Sequence, residues 1–248
     1  MQISEDEPCF NNPYDGTRKV YVFADTPHMM KLLRNNLLES GYILGCDQCM
    51  QHSAGNEISQ TNNCKKECGK MIRKSDFEKL IVADSQTEVK CAFKLNSDLL
   101  NIKGGKKMKV YPAAKLFSSQ VGLAMKALLG DEVIGNFVLK INNWFDVMNS
   151  LTTSDKITLL KNGFGLYLSE QMTALDSMIE VVRYMRKLKP GSTTAKKQLL
   201  PFQQGIIISV SALKYLYMDL HNTYDSLSYL LTRRLCQDPL ENYFGKLR

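Results

Sequence analysis

Two carboxylates near opposite ends of the chain stand in similar settings. Asp25 follows the β-branched and aromatic run Val20-Tyr21-Val22-Phe23-Ala24 and precedes Thr26-Pro27, while Glu241 stands in Asp238-Pro239-Leu240-Glu241 with Tyr243 and Phe244 just beyond. Singly, an acid at a helix start is the usual cap or dipole partner. As a pair, such acids suit phosphoryl-transfer chemistry, in which two hard cations about 4 Å apart are bridged and flanked by carboxylates. A second constellation is built on sulfur. Cys46-x2-Cys49 and Cys64-x3-Cys68, with His52 nearby, carry enough thiolates to close a tetrahedral zinc site and knit a polar loop. Incidental thiols in a flexible insertion are the other reading. Lys103-Gly104-Gly105-Lys106-Lys107 has the composition of a phosphate loop without its spacing and reads as a basic turn.

The chain that must position these groups has 248 residues, 44% hydrophobic and 23% charged, which is globular composition. No run approaches the roughly 18 apolar residues of a membrane helix, so no membrane partner is expected. The acidic opening MQISEDEPCF lacks the apolar segment of a secretory signal, so the seven cysteines are expected as free thiols or metal ligands in a reducing compartment. The net charge of +7 favours polyanionic partners. Arg183, Arg186, Lys187, Lys189, Lys196 and Lys197, around a Pro-Gly break, and Arg233-Arg234 are candidate phosphate contacts or solvated helix ends.

The periodicities predict an α+β, predominantly helical chain with a loose lead-in over 1–16. A buried strand over 20–24 follows, then a helix with Thr26 as N-cap and Pro27 in first position. Met29, Met30, Leu33, Leu37 and Leu38 give that helix its apolar spacing until Gly41. Further helices are expected over 74–82, capped by Ser75, over 111–129, ending at Gly130, and over 133–150 and 155–188. Residues 189–194 read as a break, 205–220 as helix or strand, and 229–232 as a short strand. A last helix begins at Asp238, with Pro239 in its first turn. The α/β signals lie at the two ends around a helical middle, so one domain with a long insertion explains the layout.

Three stretches, KVYVFADTPHMMKLLRNNLLESG (19–41), KMKVYPAAKLFS (107–118) and LTRRLCQDPLENYFGKLR (231–248), resemble the P-element transposase family. QDPLENYFG (237–245) is the most specific of them. The resemblance spans nearly the whole chain and implies an RNase H-like catalytic domain interrupted by a helical GTP-binding insertion. It also implies nuclear, metal-dependent DNA transposition by three carboxylates. Divided accordingly, residues 17–44 carry the second acid, 45–74 form a Cys-rich loop, 75–200 the insertion, and 201–248 the segment with the third acid. Asp25 matches the second acid and Glu241 the third, together binding Mg2+. The first acid has no counterpart, nor do the family's zinc-dependent DNA-binding domain and its oligomerising coiled coil. The chain is therefore expected to be a fragment or domesticated remnant that does not cut DNA alone. Any homo-oligomer would form through those other regions.

The same resemblance supplies nucleotide contacts of the right chemical types. They are Lys94, Lys109, Val110, Ser118, then Phe145, Asp146 and Asn149 in NWFDVMN (143–149), and Asp238. An aromatic such as Phe145 can stack on a base, and lysines can neutralise phosphate. A carboxylate, Asp146 or Asp238, accepts both guanine donors and so selects guanine over adenine. Asp238 lies one helical turn from Glu241, which would put GTP beside the catalytic acid to order the site without being hydrolysed. The competing expectation is a non-enzymatic nucleic-acid or chromatin interaction module whose nucleotide site has decayed.

Overall fold

The computed structural model describes residues 3–46, 67–196, 198–224, 226–237 and 243. The described residues are predominantly helical with two small antiparallel sheets, and the chain divides into two compact units. The first comprises residues 1–29, 143–179 and 201–248; the second comprises 30–142 and 180–200. Among the described residues no helix is long and apolar enough to cross a membrane.

The first unit opens with a hairpin of β1 (Cys9–Asn12) and β2 (Asp15–Tyr21). Here the chain departs from the expected loose lead-in and buried strand. Asn12 Oδ1 accepts the Tyr14 N–H at 2.9 Å and Asp15 Oδ1 accepts Thr17 N–H at 3.1 Å, so Asx turns close the hairpin early. Residues 16–20 of β2 face solvent. Lys19 and the Tyr21 hydroxyl both donate to Asp219 on α8 (Pro201–Thr223), and the Ala24 N–H donates to Ser209 Oγ at 2.8 Å. The stretch that was open to either reading is thus helix. Phe202, Ile206, Val210, Leu213 and Tyr217 recur at steps of three and four and are buried, which is the stripe of a core-facing helix. Phe164 pairs with Leu230 as an isolated bridge, the whole of the short strand expected at 229–232, and its ring meets Tyr217 edge-on at 5.3 Å.

The second unit holds the three-stranded sheet, order β4 (Met71–Ile72), β3 (Tyr42–Ile43), β5 (Arg186–Lys187). Helix α1 (Thr26–Glu39) brings Met30, Leu33 and Leu37 into its core, and the buried Tyr42 hydroxyl donates to the Leu33 carbonyl at 3.1 Å. Helix α2 (Lys74–Ser85) starts one residue before the expected cap: the Arg73 N–H donates to Asp76 at 2.8 Å, so Ser75 is not the cap. A one-turn helix, α3 (Ser97–Leu100), follows.

The single helix expected over 111–129 is two, α4 (Tyr111–Leu116) and α5 (Ser119–Leu129). Ser118 between them is extended, with ψ 153°, and Ser119 N–H is satisfied by Asn142 Oδ1 at 3.2 Å. Serine competes with helical hydrogen bonding and favours such a restart. Gly130 ends α5 in the left-handed region at φ 62°, as expected of a C-terminal glycine. Helix α6 (Glu132–Met148) crosses α5 at a close approach, for a methyl on Gly135 would lie 2.8 Å from the Gly122 carbonyl.

The long helix expected over 155–188 shrinks to α7 (Leu168–Tyr184). Before it, Asp155 Oδ1 accepts the N–H groups of Ile157 and Thr158, and Asn162 Oδ1 accepts that of Asp155. Those side chains take backbone donors that a helix would need. The break at 189–194 is a turn, closed by the bridge of Leu188 with Ala195.

Candidate nucleotide and carboxylate site

Asp25 caps α1. Its Oδ2 accepts His28 N–H at 2.9 Å, so the cap is Asp25 rather than the expected Thr26, which is buried at 4% exposure. Its other oxygen, Oδ1, accepts the N–H of Gln237 at 3.2 Å. Residue 25 and the first residue of QDPLENYFG are therefore in direct contact across 212 positions of sequence. Glu241 and Asp238 lie outside the described residues.

Further hydrogen bonds tie the same carboxyl-terminal stretch to the end of α6. Thr232, 1% exposed, donates through Oγ1 to the Val147 carbonyl at 2.5 Å and accepts the Ser150 N–H at 3.0 Å. Its own N–H donates to Ser150 Oγ at 3.2 Å, and Arg233 N–H reaches the Ser150 carbonyl at 3.2 Å. Thr232 thus holds the stretch leading to Gln237 against the very segment that carries Phe145, Asp146 and Asn149.

Those three residues differ in exposure. Trp144 is core, 1% exposed, with no partner for its indole N–H among the described residues, whereas Phe145 is half-buried. Asp146 is 8% exposed and lies 3.9 Å from the Lys161 ammonium, and Asn149 is half-buried just past the helix end. A carboxylate so withdrawn from water, with a cation at its edge, binds amide-like donors more strongly than an exposed one.

The remaining candidates belong to the second unit. Lys94 is exposed, with its ammonium 5.3 Å from the Phe93 ring centroid. Lys109 is exposed and Val110 half-buried, at the end of the basic turn Gly104–Met108, which forms a short 3-10 helix. Ser118 Oγ is a buried hydroxyl with no hydrogen-bond partner among the described residues. Such an orphan costs stability unless a ligand or water satisfies it.

Arg34 was not foreseen. It is fully buried on α1, and its guanidinium donates to the carbonyls of Lys109 at 3.1 Å and Lys107 at 2.5 Å. It also donates to Asn35 Oδ1 at 2.7 and 3.1 Å. Burial lowers its pKa from the ordinary arginine range. Arg34 therefore clamps, through backbone atoms, the turn that presents Lys109. Lys187, a candidate phosphate contact or solvated helix end, bonds Asn36 at 2.6 Å and approaches Glu39 at 3.6 Å.

Cys46 and Cys68 are both buried. They flank the β3–β4 ladder, in which Leu44 N–H donates to Lys70 and Gly69 N–H donates to Leu44. Cys49 and Cys64 lie outside the described residues. Among the described residues no group of three or more His, Cys, Asp or Glu is placed to hold a metal.

Residues 48–161 match the family described as "TNP-like, GTP-binding insertion domain". The chain is 29% identical over 255 residues to the Transposable element P transposase of Drosophila melanogaster, covering all of this chain and 30% of that protein. It is 26% identical over 263 residues to the DNA transposase THAP9 of Homo sapiens, covering 98% of this chain and 25% of that protein. A solved structure, the Drosophila P element transposase strand transfer complex, superposes with a TM-score of 0.78 at 29% identity. That match covers 98% of this chain and 50% of the other. The chain thus spans a quarter to a third of the length of these curated relatives.

Proposed function

Since the chain belongs to the P-element transposase family, we propose that it binds GTP as a structural ligand beside a DNA-joining carboxylate site. Phe145 stacks on the base, Asp146 and Asp238 accept its N1–H and amine, and Asn149 supplies an amide. GTP is not consumed in this reading: the chain holds the nucleotide to order the segment between Asp146 and Glu241. Asp25 and Glu241 would hold Mg2+, whose charge stabilises the phosphoryl transition state. Two carboxylates are a thin ligand set for a metal pair, so the 248 residues bind nucleotide and DNA in the nucleus without cutting DNA unaided.

The observation that supports this most is the hydrogen bond from Gln237 to Asp25, together with the Thr232 ties to Val147 and Ser150. They tie Asp25 to Gln237, and Thr232 to the end of the NWFDVMN segment, within one unit. The test is calorimetric titration of the chain with GTP and with ATP in magnesium buffer, repeated on Asp146→Asn. GTP is expected to bind at least tenfold tighter than ATP, and Asp146→Asn to abolish that preference, because an amide oxygen cannot accept both guanine donors as a carboxylate does. Equal binding of the two nucleotides, or none by a cooperatively melting chain, overturns the reading.

A further inference from the structure

A cavity of about 350 Å³ opens in the second unit between the end of α2 and the stretch before α3, lined by Ile81, Asp84, Lys90, Ala92, Phe93 and Leu95, among others. Its chemistry is sharply divided. Ile81, Ala92 and Leu95 give an apolar floor, while Phe93 stands 59% exposed at the same cavity. A large aromatic so exposed is unexplained by packing. One face of the ring carries the Lys94 ammonium, which leaves the other for a planar partner.

Asp84 supplies the polar group. The residue is only 5% exposed, and its Oδ1 accepts the N–H groups of Cys91 at 2.7 Å and Ala92 at 3.1 Å. Those bonds shape the loop. Among the described residues Oδ2 has no donor, so a nearly buried carboxylate oxygen in the cavity wall is available to a ligand. Lys90 adds a cation at the cavity, where an anionic group of the same ligand would be neutralised.

A flat apolar body, an edge rich in N–H donors and a nearby negative charge together describe one nucleotide of an unpaired strand. We propose that this cavity receives a single extrahelical guanine base of a DNA strand. Phe93 stacks on it, Asp84 Oδ2 accepts from its exocyclic amino group, and Lys90 contacts the adjoining phosphate. Stacking needs no sequence, and the carboxylate adds the preference for guanine. A cationic peptide side chain would also suit Asp84, but Lys90 and Lys94 oppose it.

The test uses the full chain and a fluorescein-labelled twelve-nucleotide single strand with one central guanine, followed by anisotropy at fixed salt. Parallel strands carry inosine, which lacks the amino group, or adenine there. Guanine is expected to bind about fivefold tighter than inosine and tighter still than adenine. Phe93→Ala weakens all three about tenfold, Phe93→Tyr restores binding, and Asp84→Asn, which can still accept from Cys91 and Ala92, equalises guanine and inosine. GTP calorimetry on the same variants separates this site from the nucleotide site proposed above. Lost GTP binding in the parent with intact strand discrimination leaves the cavity standing and removes the other. Unchanged strand affinity in Phe93→Ala, equal affinity for guanine and inosine in the parent, or loss of GTP binding in Phe93→Ala overturns the proposal.

Discussion

Replacing Arg34 with methionine isolates a contact that holds the basic turn before Lys109 through backbone alone. The substitution keeps the apolar stem and removes the donors to the Lys107 and Lys109 carbonyls. Leaving buried carbonyls without donors costs about 1–3 kcal/mol each. Two effects reduce that sum. Lys107 is half-buried and Lys109 exposed, so their carbonyls recover some water, and a buried cation's desolvation cost disappears. A net loss of about 2 kcal/mol remains, which lowers the melting temperature by about 4–8 °C for a chain of this length.

Arg34→Lys, which can reach one of the two carbonyls, is expected to fall between. Thermal melts followed by circular dichroism read the loss, and an Arg34→Met variant that melts like the parent refutes the clamp.

The Lys19–Tyr21–Asp219 cluster gives a pH signature. The Tyr21 hydrogen bond, followed by Lys19, holds the Asp219 carboxyl below its ordinary 3.8 against the opposing effect of burial. That stabilisation is present above pH 3.8 and is lost as pH falls through the lowered value. Burial and the same hydrogen bond raise Tyr21 above 10.0, so its contribution is present below that pH and erodes above it. Asp219→Asn is expected to flatten both limbs of a melting-temperature profile, and a profile identical to the parent's would count against the cluster. Gly135→Ala places a methyl 2.8 Å from the Gly122 carbonyl, where backbone must yield. It is expected to destabilise by about 1–3 kcal/mol in a urea melt, whereas the helix-propensity gain alone would stabilise.

Much of the helical layout was legible because burial imposes a period. Met30, Leu33 and Leu37 on α1, and the stripe of α8, announce helices that bury one face. Failures fall where short polar side chains bid for backbone donors. Asp155 and Asn162 dissolve the first part of a helix whose apolar spacing looked continuous, and Ser118 divides another. The amino-terminal hairpin had a readable signal, since Asn12-Pro13-Tyr14-Asp15-Gly16 is dense in turn residues. Arg34 had none: it shares the buried face of an amphipathic helix, and only the distant carbonyls it meets explain a charge there. Asp84 and Phe93 are similar, because a half-used carboxylate and a solvent-facing ring show themselves only once the chain has folded.

Asp25 shows why a cap and a catalytic ligand need not be rival readings. Each of its oxygens accepts one backbone N–H, from His28 and from Gln237. A carboxylate oxygen has a further lone pair, so both hydrogen bonds can persist while a cation is bound. The two donors instead fix the orientation of the carboxylate, as outer contacts fix the ligands of metal sites. They also connect it to different parts of the chain. His28 anchors it to α1, and Gln237 anchors it to a stretch that Thr232 pins to the end of α6. A nucleotide held by Asp146 would stiffen that end, and the ordering would pass through Thr232 to Gln237 and so to Asp25. In the proposed reading GTP would act on the carboxylate by limiting its motion, with no bond in the nucleotide broken.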